Sequence, residues 1–392
     1  MIKNLPHTME KKMIFIAILL MILVVIFYVG VKPQKRDRKS PLYRSSSLLP
    51  QEARLIIPSP ELPVPTVIAP SPALTPPAEL AAFHLITRSE CHPEVVDNII
   101  KMTQSMPRPH PLLKALTSNL DNPEKLYQVV KSDAEIAAKI LRTVNSGGFY
   151  LTKKITHLNY AILYLGSNMV KNIALQCVMK ANVQSSDKRL NQALKTIWTQ
   201  GFLASSLALP LAKQLGLSHA AELGTRALLA YIGNLAIITY KPQLAYYLIE
   251  NYSLFERTKI EQQELGLNAS IVGSELAQAW QLPQEIVDGI RHHLLPLGVP
   301  PPHHPIGGDA LRDCLVTYVC CRAAEMIINQ GLNDVGELNL RDERFLELFY
   351  LSDYLNQADL QACLDLPQKQ VFRSEVNKLI QKIERPVKAA RK

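Results

Sequence analysis

From Glu79 almost to the C-terminus, apolar residues recur at intervals of three and four. The clearest segments are Val95–Met102, Leu112–Leu120, Glu124–Val130, Ile136–Val144, Ile173–Met179, Leu190–Leu215, Ala220–Ile238, Gln243–Tyr252, Ile260–Trp280 and Gln284–His292. That interval lays an apolar stripe along one side of a helix. Strand-type alternation is nearly absent, so the pattern predicts an all-α domain of many short helices. Punctuation falls between the stripes: Ser132-Asp133 before one, Asn145-Ser146-Gly147-Gly148 after it, and Leu282-Pro283 at a turn. Pro210 is expected to kink or divide the longest segment, because a proline inside a helix removes a hydrogen bond. The helical pattern resumes from Gly307 to about Leu366, with Ala310–Ile328 apolar at helical spacing. The end of the chain sets Val371, Val376, Leu379, Ile380 and Ile383 against Arg373, Lys378, Lys382 and Arg385. Such a basic amphipathic end packs one face on the body, or docks on anionic lipid or a partner.

Two stretches near the N-terminus break this pattern. Met13–Val31, MIFIAILLMILVVIFYVGV, runs about 19 residues without a charge or proline, close to the thickness of a bilayer core. Its length and its poor cleavage context, Tyr-Val-Gly-Val-Lys, favour an uncleaved transmembrane anchor over a signal peptide. Lys3, Lys11 and Lys12 precede it, and Lys32, Lys35, Arg36, Arg38, Lys39 and Arg44 come after it. The richer side stays cytoplasmic, which places a single-pass protein in the inner membrane with its bulk in the cytoplasm. From Ser40 to about Pro77 closely spaced prolines hold the chain extended, so a spacer is expected, with a reach on the order of 100 Å. The expected organisation is a flank at 1–12, an anchor at 13–31, a basic then Pro/Ser-rich linker at 32–78 and a helical lead-in at 79–105. After these come a helical domain at 106–293 and a helical C-terminal extension at 294–392.

Composition changes this picture little. The net charge of +9 would raise the question of nucleic acid, but much of the excess lies in the segment after the anchor and in the C-terminal end. Six cysteines form no C-x-x-C pair or repeated frame. Four sit in apolar, helix-like contexts, so they read as reduced, buried thiols in a reducing compartment.

Several separate matches, in order along the chain, resemble the HDOD family, the HD-related output domains of bacterial signalling proteins. Met106-Pro107 stands where the family opens with Leu-Pro. Lys131-Ser132-Asp133 leads into Ile-Ala-Ala-Lys-Ile-Leu-Arg, and Asn145-Ser146 ends that helix. Lys154-Ile155-Thr156 and Ala161-Ile162-x-x-Leu165-Gly166 match the next segment of the family pattern. From the residues alone, Asn145 is suited to a helix end by its tolerance of left-handed dihedrals and its amide, and Thr156 to capping the next helix. Asn145 and Ser146 are thus turn chemistry or, alternatively, ligand contacts that shape a surface.

The same resemblance bears on catalysis. HD phosphohydrolases hold metal ions through a His, a His-Asp pair and a later Asp, and use them to activate water. Here the His-Asp position reads Ala230-Tyr231, and Ala269 stands where another family His aligns. The late helix Thr317-Tyr318-Val319-Cys320-Cys321-Arg322 lacks the Asp of metal-binding relatives. Alanine and tyrosine do not supply such ligands, so the resemblance implies a hydrolase scaffold without its chemistry, no catalytic residues, no metal and no cofactor. Two histidine pairs remain, His292-His293 and His303-His304, with Asp309, Asp313 and Cys314 nearby. They are solvated loop residues or a weak binding feature. The expected role is signal transduction by contact with a protein partner at the inner membrane. A nucleotide- or RNA-binding regulator that uses the residual cleft and the basic surface is the alternative.

Overall fold

The computed structural model describes residues 75–118, 122–145, 154–180, 186–381 and 383. The expected anchor and nearly all of the linker lie outside these residues, as do Ser146, Gly147 and Gly148. The chain divides into Met1–Ser71 and Pro72–Lys392, and every described residue belongs to the second unit.

Among the described residues each regular element is helical. A first group comprises α1 (Ala78–Ala81), α2 (Pro93–Ser105), α3 (Leu112–Thr117), α4 (Pro123–Lys131), α5 (Ala134–Val144), α6 (Leu158–Leu165) and α7 (Ser167–Lys180). Asp133 starts α5 as the sequence predicts, accepting the N–H groups of Glu135 and Ile136 on one carboxylate oxygen, at 2.9 Å each. Ile136, Ile140 and Val144 form its buried stripe. Thr156 is not the cap of α6. His157 occupies that position, and no side chain caps this end.

The centre of the body is α8 (Lys188–Gln214), against which α7, α9 (Ala220–Leu229), α11 (Tyr246–Ile249), α16 (Gly308–Gln330) and α18 (Gln370–Gln381) pack. Pro210 lies inside α8 without dividing it. Burial from Leu190 to Ala212 holds the helix through the proline, which shows packing overriding local propensity.

Two segments that read as single helices are each two. Ala220–Ile238 breaks at Ala230-Tyr231 into α9 and α10 (Ile232–Tyr240). The stretch Ala220–Tyr240 is long and apolar enough to cross a membrane, yet its apolar window is 83% buried within the fold. Ile260–Trp280 instead comprises α12 (Leu254–Leu265) and α13 (Ala269–Ala279). Gly266, at φ 67°, ends α12 in the left-handed region, and Asn268 caps α13 by accepting the N–H groups of Ser270 and Ile271. The expected helix at Gln243–Tyr252 is a short 3-10 turn followed by α11.

Then come α14 (Gln284–His292), α15 (Leu295–Gly298), α16, α17 (Leu351–Gln357) and α18. The C-terminal extension shares the core: α16 packs along α8 and α9, and Phe372, Val376 and Ile380 of α18 are buried. That buried face is turned from the expected one, since Phe372 rather than Val371 points inward and Val371 is exposed.

Candidate functional site

The break between α9 and α10 sets Ala230 and Tyr231 at the floor of a closed cleft. Its other walls are Asn234 of α10, Arg257, Thr258 and Glu261 of α12, Ala269 at the start of α13, His293 after α14, and Cys321, Arg322 and Glu325 of α16. The structure therefore brings together all three places that the resemblance singled out: Ala230-Tyr231, Ala269, and Cys321 and Arg322 of the late helix. About 10 Å³ remains free, roughly the size of one water molecule.

Tyr231 takes up much of this space. Its ring is buried and its hydroxyl donates to the Cys321 carbonyl at 3.3 Å. Burial pushes that phenol, and the Cys321 thiol, up in pKa, the thiol to about 12, so both stay neutral. The charges of the cleft belong to a buried cluster on α12 and α16. Glu325 Oε2 accepts from Arg257 and from Arg322 at 2.7 Å each, and Oε1 from Arg322 at 3.0 Å. All three side chains are at most 5% exposed. Burial acts to raise the Glu325 carboxyl, but the two guanidinium groups overcome it and hold it below its ordinary range.

Glu261 closes the other side. Its Oε1 accepts from Asn234 at 3.1 Å and from the Tyr247 hydroxyl at 3.0 Å, and its Oε2 from the Ala269 N–H at 2.9 Å. Burial pushes its pKa up to about 7, against those hydrogen bonds and the charge of Arg257. Every oxygen of both carboxylates is thus engaged by the protein's own donors. What this arrangement does chemically is hold α9, α10, α12, α13 and α16 in register around a charged centre.

Among the described residues, His293 is the expected site residue that joins this cleft, and it does so as a core residue rather than a solvated one. It is 5% exposed, and its Nδ1 lies 2.6 Å from the Ile290 carbonyl, which fixes the proton on that nitrogen. Burial lowers its pKa to about 4, assisted by Arg322, so the ring is neutral at pH 7. His292 is half-buried outside the cleft, and burial likewise lowers its pKa. Of the expected neighbours, Asp313 is engaged elsewhere and Cys314 reaches only the backbone of His292. Asp313 binds His219 at 2.6 Å and Arg226, while Cys314 Sγ donates to the His292 carbonyl at 3.1 Å. His303 is exposed and His304 rests on Tyr354. Among the described residues, no group of three or more His, Cys, Asp or Glu side chains is placed to hold a metal ion.

Asn145 works away from the cleft. Its Nδ2 donates to the carbonyls of Leu141 and Ile155 at 2.8 and 2.7 Å, and its Oδ1 accepts the Ile155 N–H at 2.8 Å. The residue is right-handed, at φ −86°, so its amide and not a left-handed backbone ends α5. It clips the end of α5 to the segment that leads into α6.

Sequence reasoning missed Arg257, Glu261, Arg322 and Glu325. The signal was present: Arg322 and Glu325 stand three apart inside an otherwise apolar run on α16, a spacing that joins them on one helix face.

Residues 107–296 match the model of the HDOD domain. The chain carries an HDOD domain. No curated protein matches the chain. Among solved structures the chain is similar to a protein from Shewanella amazonensis SB2B described as a candidate phosphohydrolase. The identity is 18% and the TM-score 0.49, over 73% of this chain and 98% of that one. It is also similar to an HDOD domain protein of unknown function from Geobacter sulfurreducens, at 15% identity and TM-score 0.49, over 73% and 98%. A response regulator, MmoQ, from Methylococcus capsulatus is similar at 18% identity and TM-score 0.33, over 69% and 95%.

Proposed function

We propose that this chain is a signal-transduction output protein that acts through contact with a protein partner and performs no hydrolysis of its own. The observation that carries this reading is the state of the HDOD cleft. Tyr231 and the Arg257–Glu325–Arg322 cluster fill it, and about 10 Å³ is left, far below the several hundred Å³ that a nucleotide-sized ligand needs. The same volume speaks against a nucleotide bound at that point. The residues that replace metal ligands on this scaffold supply stability and a fixed arrangement of helices, which is what a contact surface requires.

In this reading segment 13–31 anchors the chain in the inner membrane, the linker gives reach, and the body faces the cytoplasm, where its free cysteines stay reduced. A partner recovered with the full chain from its own cells should remain bound as salt rises from about 50 to 200 mM. Contact through nucleic acid would instead lose on the order of a thousandfold in affinity over that range. Such a loss would replace the protein-contact reading with a nucleic-acid one.

A further inference from the structure

Apart from the closed cleft, a chamber of about 310 Å³ opens among α7, α8, α9 and α18. Ser205, Ser206, Leu209 and Pro210 turn one face of α8 to it, because residues four apart lie one above the other on a helix. Ser205 is 2% exposed and Ser206 6%, and neither hydroxyl has a hydrogen-bond partner among the described residues. Buried hydroxyls without partners are costly, and a ligand that bonds them recovers that cost. Pro210 adds an acceptor to this face. It has no N–H to give to the Ser206 carbonyl one turn back, so the helix bond to that oxygen is missing.

The two flanking walls are opposite in charge. On one side α7 begins: Gly166 accepts the Val170 N–H at 3.2 Å, and it has no side chain with which to cap Ser167, Asn168 and Met169. The N–H groups of that first turn, with the helix dipole behind them, favour a negative group. Lys171 lines the same wall, 3% exposed, and donates to the Ser118 carbonyl at 3.4 Å, so it adds positive field and is not itself the anchor. On the other side stands Glu375 of α18, half-buried, whose carboxylate meets no donor among the described residues. Leu209, 42% exposed, and Leu379, one turn on from Glu375, make the apolar part of the lining.

We propose that this chamber binds a free amino acid with an apolar side chain. Its carboxylate lies on the first turn of α7, its ammonium group between the Ser206 carbonyl and Glu375, and its side chain against Leu209 and Leu379. A simple anion would be repelled by Glu375 and a simple cation by the start of α7, so the two walls together select a zwitterion. The site is separate from the partner-contact reading and does not depend on it. A bound amino acid joins α7 to α18, and so ties the HDOD segment to the C-terminal extension.

Calorimetric titration of the full-length protein at neutral pH with L-leucine tests this. Isocaproate, which lacks the ammonium group, and isoamylamine, which lacks the carboxylate, are the controls. Leucine should bind once per chain and at least tenfold more tightly than either. Glu375→Gln should weaken leucine at least tenfold and leave isocaproate no weaker, and Leu209→Ser, at an exposed position, should weaken leucine severalfold. The proposal is overturned if leucine gives no binding, if either control binds as tightly, or if Glu375→Gln binds leucine as the parent does. Should Glu375→Gln fail to fold, Leu209→Ser decides, and an unchanged affinity there also overturns it.

Discussion

A histidine held neutral in the interior leaves a mark on stability. The unfolded imidazole of His293 takes up a proton near pH 6.5, whereas the folded one does so only near 4. Its contribution is complete above 6.5 and is lost as pH falls toward 4, by about 3 kcal/mol in all. His293→Leu should therefore flatten the decline in urea-unfolding stability between pH 7 and pH 4.5. An unchanged decline would mean that other groups set it. The Glu325 carboxylate makes a second demand at this scale. Glu325→Ala would leave the Arg257 and Arg322 guanidinium groups buried without the carboxylate that bonds both, at a cost of about 3–5 kcal/mol. A denaturation midpoint within experimental error of the parent would show that the cluster is hydrated rather than sealed. These residues were only partly legible in advance. That Ala230, Tyr231 and Ala269 belong to one place was an expectation of the family resemblance, and the structure sets all three on one cleft. What fills that cleft was not legible, since Arg257 and Glu325 lie 68 positions apart and meet only through the packing of α12 on α16.

Between elements, α10 lies close on α13. A Cβ added at Gly233 would lie 1.8 Å from the Ala269 carbonyl oxygen, a distance at which the backbones must separate. Gly233→Ala should consequently destabilise the fold by about 1–3 kcal/mol or more, read as a lower unfolding midpoint, and loosen the cleft beside it. Retention of parental stability would mean that the two helices are not in van der Waals contact. The positions of α5 and α14 were readable because Asp133 and Pro283 mark their starts and their apolar stripes are regular. The split of Ile260–Trp280 was readable in principle from Gly266 and Asn268, but the apolar spacing runs across the break and conceals it. The break at Ala230-Tyr231 carries no glycine or proline of its own, and the packing that surrounds it imposes it.

In the proposed organisation of the whole molecule, a membrane tether carries a body whose cleft is filled. A reporter fused after Lys39 should behave as cytoplasmic, given six Lys or Arg residues after the apolar segment against three before it. Activity of a periplasm-dependent reporter at that point would invert the topology and the location of the partner. The all-α class and the presence of an HDOD domain were legible at this scale. That the C-terminal extension is part of one core was not. Its apolar residues reveal that they are buried but not what buries them, and only α8 lying against both α16 and α18 shows it.

The central claim is that the HDOD cleft of this chain is closed by its own side chains and does no metal-assisted hydrolysis. The most direct measurement is elemental analysis of the purified full-length protein after incubation with manganese, iron, nickel or zinc salts. It is paired with an assay of phosphate release from nucleotides and cyclic dinucleotides. The account predicts no stoichiometric metal and no turnover above the protein-free rate. One or more ions bound per chain, removable by a chelator together with a hydrolytic activity that returns on adding the metal back, would contradict it.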